Sequence, residues 1–172
     1  MIKKGQISLQ AVDVKQPVTT LKAGNYYSFC ITDDRYDPTR KASFFVLRDG
    51  NGNDHMLKKK HYVRYALKTG NSLTCRVVQI AADGYLVLEP QHPCYEAGKS
   101  YQFPVDRLEE MVFTDGYRQK VLVLRDCFGD DVRLHLDDRT AQLLSSKRFI
   151  QAKVKEIIKG KPELEIGEEQ PI

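Results

Sequence analysis

The chain has no tryptophan and no apolar run near the roughly 20 residues that a membrane-crossing helix needs, which sets aside a helical membrane bundle. Its start, MIKKGQISLQ, carries two lysines with no apolar core behind them. It does not read as a secretory signal, and a cytoplasmic protein without membrane partners is the expectation. Only four cysteines, Cys30, Cys75, Cys94 and Cys127, are spread over 172 residues, with no C-x-x-C pair. That spacing gives no compact zinc knuckle and no thioredoxin motif, so the thiols are expected to be buried and reduced. The histidines His55, His61, His92 and His135 stand singly, and no metal site is expected. Walker A and G-x-G-x-x-G patterns are missing; GNGN at 50–53 has the glycines but leads into a strand pattern rather than a helix. Acidic doublets such as Asp33-Asp34 and Asp137-Asp138 put neighbours on opposite faces of a strand, which does not make a catalytic pair. No active site and no cofactor is expected, and the chain reads as a non-enzyme.

Charged residues make up 29% and hydrophobic ones 41%, a balance that folds rather than one that stays disordered. The net charge of +4 is too mild to name a partner by itself, but its distribution is uneven. Residues 1–23 sum to +3, residues 24–94 to +3 and residues 98–172 to −1. The excess peaks in LKKKHYVRYALK, Leu57 to Lys68, with five Lys or Arg, no acid, and His61, Tyr62 and Tyr65 interleaved.

An internal duplication organises the rest. Gly24, Tyr27, Phe29 and Ile31 recur 74 residues later as Gly98, Tyr101, Phe103 and Val105. VLRDGNGNDHML at 46–57 recurs 77 residues later as VLRDCFGDDVRL at 123–134, and Leu67, Val77 and Ile80 keep that spacing to Leu144, Val154 and Ile157. Two similar domains are expected over 24–92 and 98–168. Residues 1–23 match neither copy and read as a leader or added strand. Each copy runs strand, strand, strand, short helix, strand, strand. In the first these are 26–32, 42–49, 54–59, a helix over 61–70, 72–81 and 85–90, with DDRYDPTR as a long first hairpin loop. In the second they are SYQFPV, 118–126, 132–136, a helix over 138–146 opened by Asp137 or Asp138, 148–158 and 163–166.

That order resembles the OB-fold, a five-stranded Greek-key barrel with a short helix between its third and fourth strands. The chain is therefore read as mainly β, two tandem OB-like barrels, the first loosely similar to the ribosomal S-one and cold-shock branch in its alternating aromatics and its G-Y-L-V-L ending. The resemblance implies a single-stranded RNA or DNA partner, RNA slightly favoured, on the face of the second and third strands, where cations follow phosphates and rings stack bases. Residues of the right type there are Arg35, Tyr36, Arg40, Lys41, Phe44, Arg48, His55, Lys58, Lys59, Lys60 and Arg64. Alternation lets only one of Phe44 and Phe45 point outward. The second copy offers Arg118, Lys120, Arg125 and Arg133.

The copies diverge in charge, since LHLDDRTAQLLSS replaces the basic run. The alternative is thus a protein-interaction adaptor, with barrel 2 taking a protein partner, or the N-terminal recruitment module of a larger nucleic-acid-processing enzyme.

Overall fold

The computed structural model describes residues 20–167. The expected leader strand lies, up to residue 19, outside the described residues. Two five-stranded antiparallel sheets dominate. The first comprises β1 (Tyr26–Asp37), β2 (Ala42–Arg48), β3 (Asp54–Lys58), β4 (Ser72–Ile80) and β5 (Leu86–Pro90), in the order β3-β2-β1-β4-β5. The second comprises β6 (Ser100–Val112), β7 (Arg118–Arg125), β8 (Asp131–His135), β9 (Phe149–Ile158) and β10 (Lys161–Glu165), in the order β10-β9-β6-β7-β8. One helix, α1 (Asp138–Leu144), follows β8. Among the described residues no helix is long and apolar enough to cross a membrane.

The first strand of each sheet serves two neighbours. Tyr26–Cys30 pairs with β4 and Cys30–Asp37 with β2, with a bulge between Ile31 and Asp33. In the second sheet Ser100–Pro104 pairs with β9 and the remainder with β7, with a bulge between Val105 and Arg107. A bulge bends a strand and adds twist, which lets one long strand turn a corner and curl a sheet. In the second sheet the curl brings the outer strands β8 and β10 into contact, giving a nearly closed barrel.

The two sheets share single hydrogen bonds at corresponding positions. Gly24 N–H donates to the Val77 carbonyl at 2.7 Å, as Gly98 does to Val154 at 2.7 Å. Lys22 N–H donates to the Tyr27 hydroxyl at 2.9 Å, as Glu96 does to Tyr101 at 2.9 Å. Asp49 Oδ1 accepts the N–H groups of Asn51 and Asn53, and Asp126 Oδ1 those of Phe128 and Asp130, so the same Asx-type turn is built twice. The two cores match in turn: Phe29, Leu47, Leu57 and Val77 in the first correspond to Phe103, Leu124, Leu134 and Val154 in the second. Alternation along half-buried strands puts these side chains on the inner face.

Several elements differ from expectation. β1 continues to Asp37, so most of DDRYDPTR is strand and the hairpin turn is only residues 38–41. The segment Asp33–Asp37 carries polar side chains on both faces, and pairing with β2 gives its backbone the partners that its side chains do not advertise. The basic segment forms two 3-10 turns, Lys59–His61 and Val63–Tyr65, instead of one α-helix. Its first turn holds no acid, its cap residue gives no side-chain bond, and Ala66 turns left-handed at φ 53, all unfavourable to a continuing helix. In α1 the cap is Asp137, which accepts the Thr140 N–H at 2.9 Å. All four thiols are free, but only Cys75 is buried; Cys30, Cys94 and Cys127 are exposed.

Candidate nucleic-acid interface

Cross-strand partners share a face of a sheet, so the register identifies who stands beside whom. Arg35, Phe44 and Lys58 face one another across β1, β2 and β3. Arg48 lies on the same face of β2 as Phe44, and Phe45 lies inward in the core. The face foreseen for cations and a ring is thus assembled. Phe44 nevertheless offers no open ring: it is 6% exposed, with the Arg40 guanidinium 5.6 Å from its centroid. Exposed nearby are Tyr36, at 62%, and Lys41 in the hairpin turn.

Many of the cations already have anions. Arg48 forms a two-pronged pair with Asp54 (2.9 and 3.2 Å), Arg35 pairs with Asp33 at 3.0 Å, and Arg40 with Asp37 at 3.6 Å. Lys59 bonds to Asp34 and lies 5.1 Å from the Phe45 ring centroid. His55 has a structural partner: its Nε2 is 2.7 Å from Asp49 Oδ2, in the β2–β3 turn. Burial would raise the Asp49 carboxyl, but the bonds from His55, Asn53 and Asn51 outweigh it and hold it below the usual carboxylate range.

Lys58 and Lys60 are different, because among the described residues no carboxylate pairs with either. They precede His61, whose pKa is lowered by burial first and then by the positive charges of Lys60, Lys159 and Lys58. Lys159 belongs to the β9–β10 turn of the second sheet. It arrives because Glu89, at the end of β5, accepts the backbone N–H groups of Lys159 (2.9 Å) and Gly160 (3.0 Å) while also accepting the Tyr62 hydroxyl at 3.0 Å. Gly160 is required there: a Cβ would stand 2.4 Å from the His61 carbonyl oxygen, and its φ is +78. Arg64 reaches across the same junction to Asp130 at 3.0 Å. Nothing near Lys159 in the sequence announces this role, which depends on a contact 70 residues away.

The second copy is arranged differently. Arg125 pairs with Asp106 and Asp131, and Arg133 with Glu109 and Asp131; Arg107, which sequence reasoning passed over, bonds Glu109 and Asp131 in the same group. Three arginines meet three carboxylates. Asp131 first, then Glu109 and Asp106, hold the Arg107 guanidinium more firmly protonated than usual. Arg118 pairs with Glu110 at 3.4 Å, and Lys120 Nζ donates to Gln142 at 3.1 Å. The cations expected on this face are therefore largely compensated. At the β8–β10 seam a cleft of about 450 Å³ brings Lys155 and Lys161 beside Arg133, His135 and Glu163.

One grouping escaped the spacing rules: His92, Cys94 and Cys127 stand together beside the junction. Compared with known proteins, the chain matches no family model and no curated protein.

Proposed function

We propose that the two sheets are OB-like barrels and that the protein binds single-stranded nucleic acid without catalysing a reaction, RNA slightly favoured over DNA. The reading rests on one observation above all: among the described residues no carboxylate pairs with Lys58, Lys60 or Lys159, and the backbone of Lys159 is held by Glu89 beside the turn that carries Lys58 and Lys60. A strand of phosphates supplies the missing counter-charge, and the cost of holding three cations together is recovered on binding. The sheet order with β1 bent between β2 and β4 supports the barrel reading, and Arg35 and Lys58 stand in one cross-strand row on either side of the buried Phe44. Tyr36, near the end of β1, supplies an exposed ring for a base. In this reading the second copy contributes Lys159 and the Lys155/Lys161 cleft rather than its ion-paired arginines.

Fluorescence anisotropy with labelled single-stranded RNA and DNA of one sequence tests it. Wild type binds and a Lys58/Lys60/Lys159-to-Glu variant loses binding; equal binding by both overturns the proposal.

A protein partner is the second reading, favoured by the tip of the β6–β7 hairpin. There Val112, Phe113 and Tyr117 are exposed, with the two rings 5.7 Å apart. Salt-insensitive capture of a protein, lost on Phe113→Ser, would favour it.

A further inference from the structure

His92 lies in the segment between the two sheets, 5% exposed, among the rings of Tyr65 (5.3 Å), Tyr95 (4.8 Å) and Phe128 (5.4 Å). Its Nδ1 accepts the backbone N–H groups of Cys94 at 3.0 Å and Tyr95 at 3.2 Å. The neutral ring therefore carries its proton on Nε2, which is buried and has no hydrogen-bond partner. Such a group costs stability unless something satisfies the ring. A ring nitrogen of His92 and the sulfurs of Cys94 and Cys127 all lie within 4.8 Å of one another.

Two sulfurs and one imidazole form a borderline-soft donor set of the kind zinc takes. Metal–sulfur distances of about 2.3 Å and metal–nitrogen distances of about 2.0–2.1 Å put tetrahedral donors roughly 3.5–3.8 Å apart, so the three atoms close by up to about 1 Å on binding. The donors come from elements already fixed: His92 by its turn and the aromatic rings, and Cys127 by the Asx-type turn that Asp126 closes. We propose that His92, Cys94 and Cys127 bind one divalent zinc-class ion, with the fourth position left to solvent because both cysteines are exposed.

Each thiol gives up its proton to solvent as it coordinates, so binding strengthens as pH rises. Coordination by either ring nitrogen frees the amides of Cys94 and Tyr95. If Nδ1 binds, its lone pair is taken; if Nε2 binds, the proton moves to Nδ1. The bound ion ties the inter-sheet segment to the β7–β8 turn, beside the contact of Tyr65 with Phe128 (6.4 Å). H-x-C followed by a cysteine 33 residues on is not a compact knuckle, which is why spacing alone did not reveal it.

The test is titration of the reduced, metal-free full chain with Co²⁺, followed by competition with Zn²⁺. Wild type should develop thiolate-to-cobalt charge-transfer bands and the visible bands of a tetrahedral site, saturating at one ion per chain. Cys94→Ser and Cys127→Ser should lose them, and Cys30→Ser should keep them. His92→Asn, which can accept the same two amides and preserve the turn, should weaken binding by roughly tenfold or more. Circular dichroism of each variant establishes that it is folded. Absence of the bands in wild type overturns the proposal, as does their survival in Cys94→Ser or an unchanged affinity in His92→Asn. A reduced protein that takes up no cobalt but closes a Cys94–Cys127 disulfide on oxidation overturns it too.

Discussion

The carboxylate of Glu89 accepts the backbone N–H of Gly160 at 3.0 Å, joining the end of the first sheet to a turn of the second across 71 residues of chain. The contact seats the β9–β10 turn against the 3-10 turns and delivers Lys159 to the basic cluster. Geometry at one buried carboxylate and charge on the surface are therefore linked.

Replacing Gly160 by alanine places a methyl group against the His61 carbonyl and imposes a left-handed backbone on a residue that disfavours it. The expected loss is about 2 kcal/mol, a fall in Tm of roughly 4–8 °C for a chain of this size. Differential scanning calorimetry measures it. An unchanged Tm would mean that the turn is not seated on His61.

The Glu89 carboxyl is raised above the usual glutamate range, because burial outweighs the bonds from Gly160, Tyr62 and Lys159. The folded state thus holds the Glu89 proton more tightly than the unfolded state does. Its contribution to stability is full below the unfolded pKa, near 4.5, and declines as pH rises through the raised folded value. Urea midpoints measured from about pH 4 to pH 8 should fall more steeply for wild type than for Glu89→Gln. Parallel curves would contradict this.

Asp49 runs the other way. Its folded pKa is depressed, so its contribution is present above the unfolded value near 3.8 and is lost as pH falls through the folded one. Asp49→Ala removes the acceptor for two turn amides and for His55, at a cost of about 2–3 kcal/mol at neutral pH. Because Asp126 accepts the corresponding amides, Asp126→Ala should cost less only by the absence of a histidine partner. Chemical denaturation of both variants provides the comparison.

Ion-paired arginines should matter little to nucleic-acid affinity. Arg125→Ala and Arg133→Ala, which break pairs within the Arg107 network, are expected to leave oligonucleotide binding within about twofold of wild type. A loss of tenfold or more from either would show that the second face makes direct contacts.

The duplication was legible because its carriers are core side chains and turn residues, whose identity is dictated locally: Phe29 with Phe103, Val77 with Val154, Asp49 with Asp126. Alternation also separated Phe44 from Phe45 across the sheet. What the sequence did not disclose depends on tertiary neighbours. Nothing local to Arg125 or Arg133 says that Asp106 and Glu109 come from an adjacent strand to neutralise them. The strand character of Asp33–Asp37 was hidden because an unbroken polar run reads as loop until a bulge and a partner strand are known. Burial of the Phe44 ring and the meeting of His92 with Cys127 likewise belong to the fold rather than to spacing.

The salt dependence of binding tests the central claim most directly. The affinity for a single-stranded RNA is measured by anisotropy at several salt concentrations, for wild type and for the Lys58/Lys60/Lys159-to-Glu variant. If the three lysines each neutralise a phosphate, affinity falls steeply with salt in wild type, and the variant's log–log slope is shallower by roughly 2. A wild type whose binding ignores salt, or a variant with the same slope and affinity, would contradict the assignment of this surface to nucleic acid.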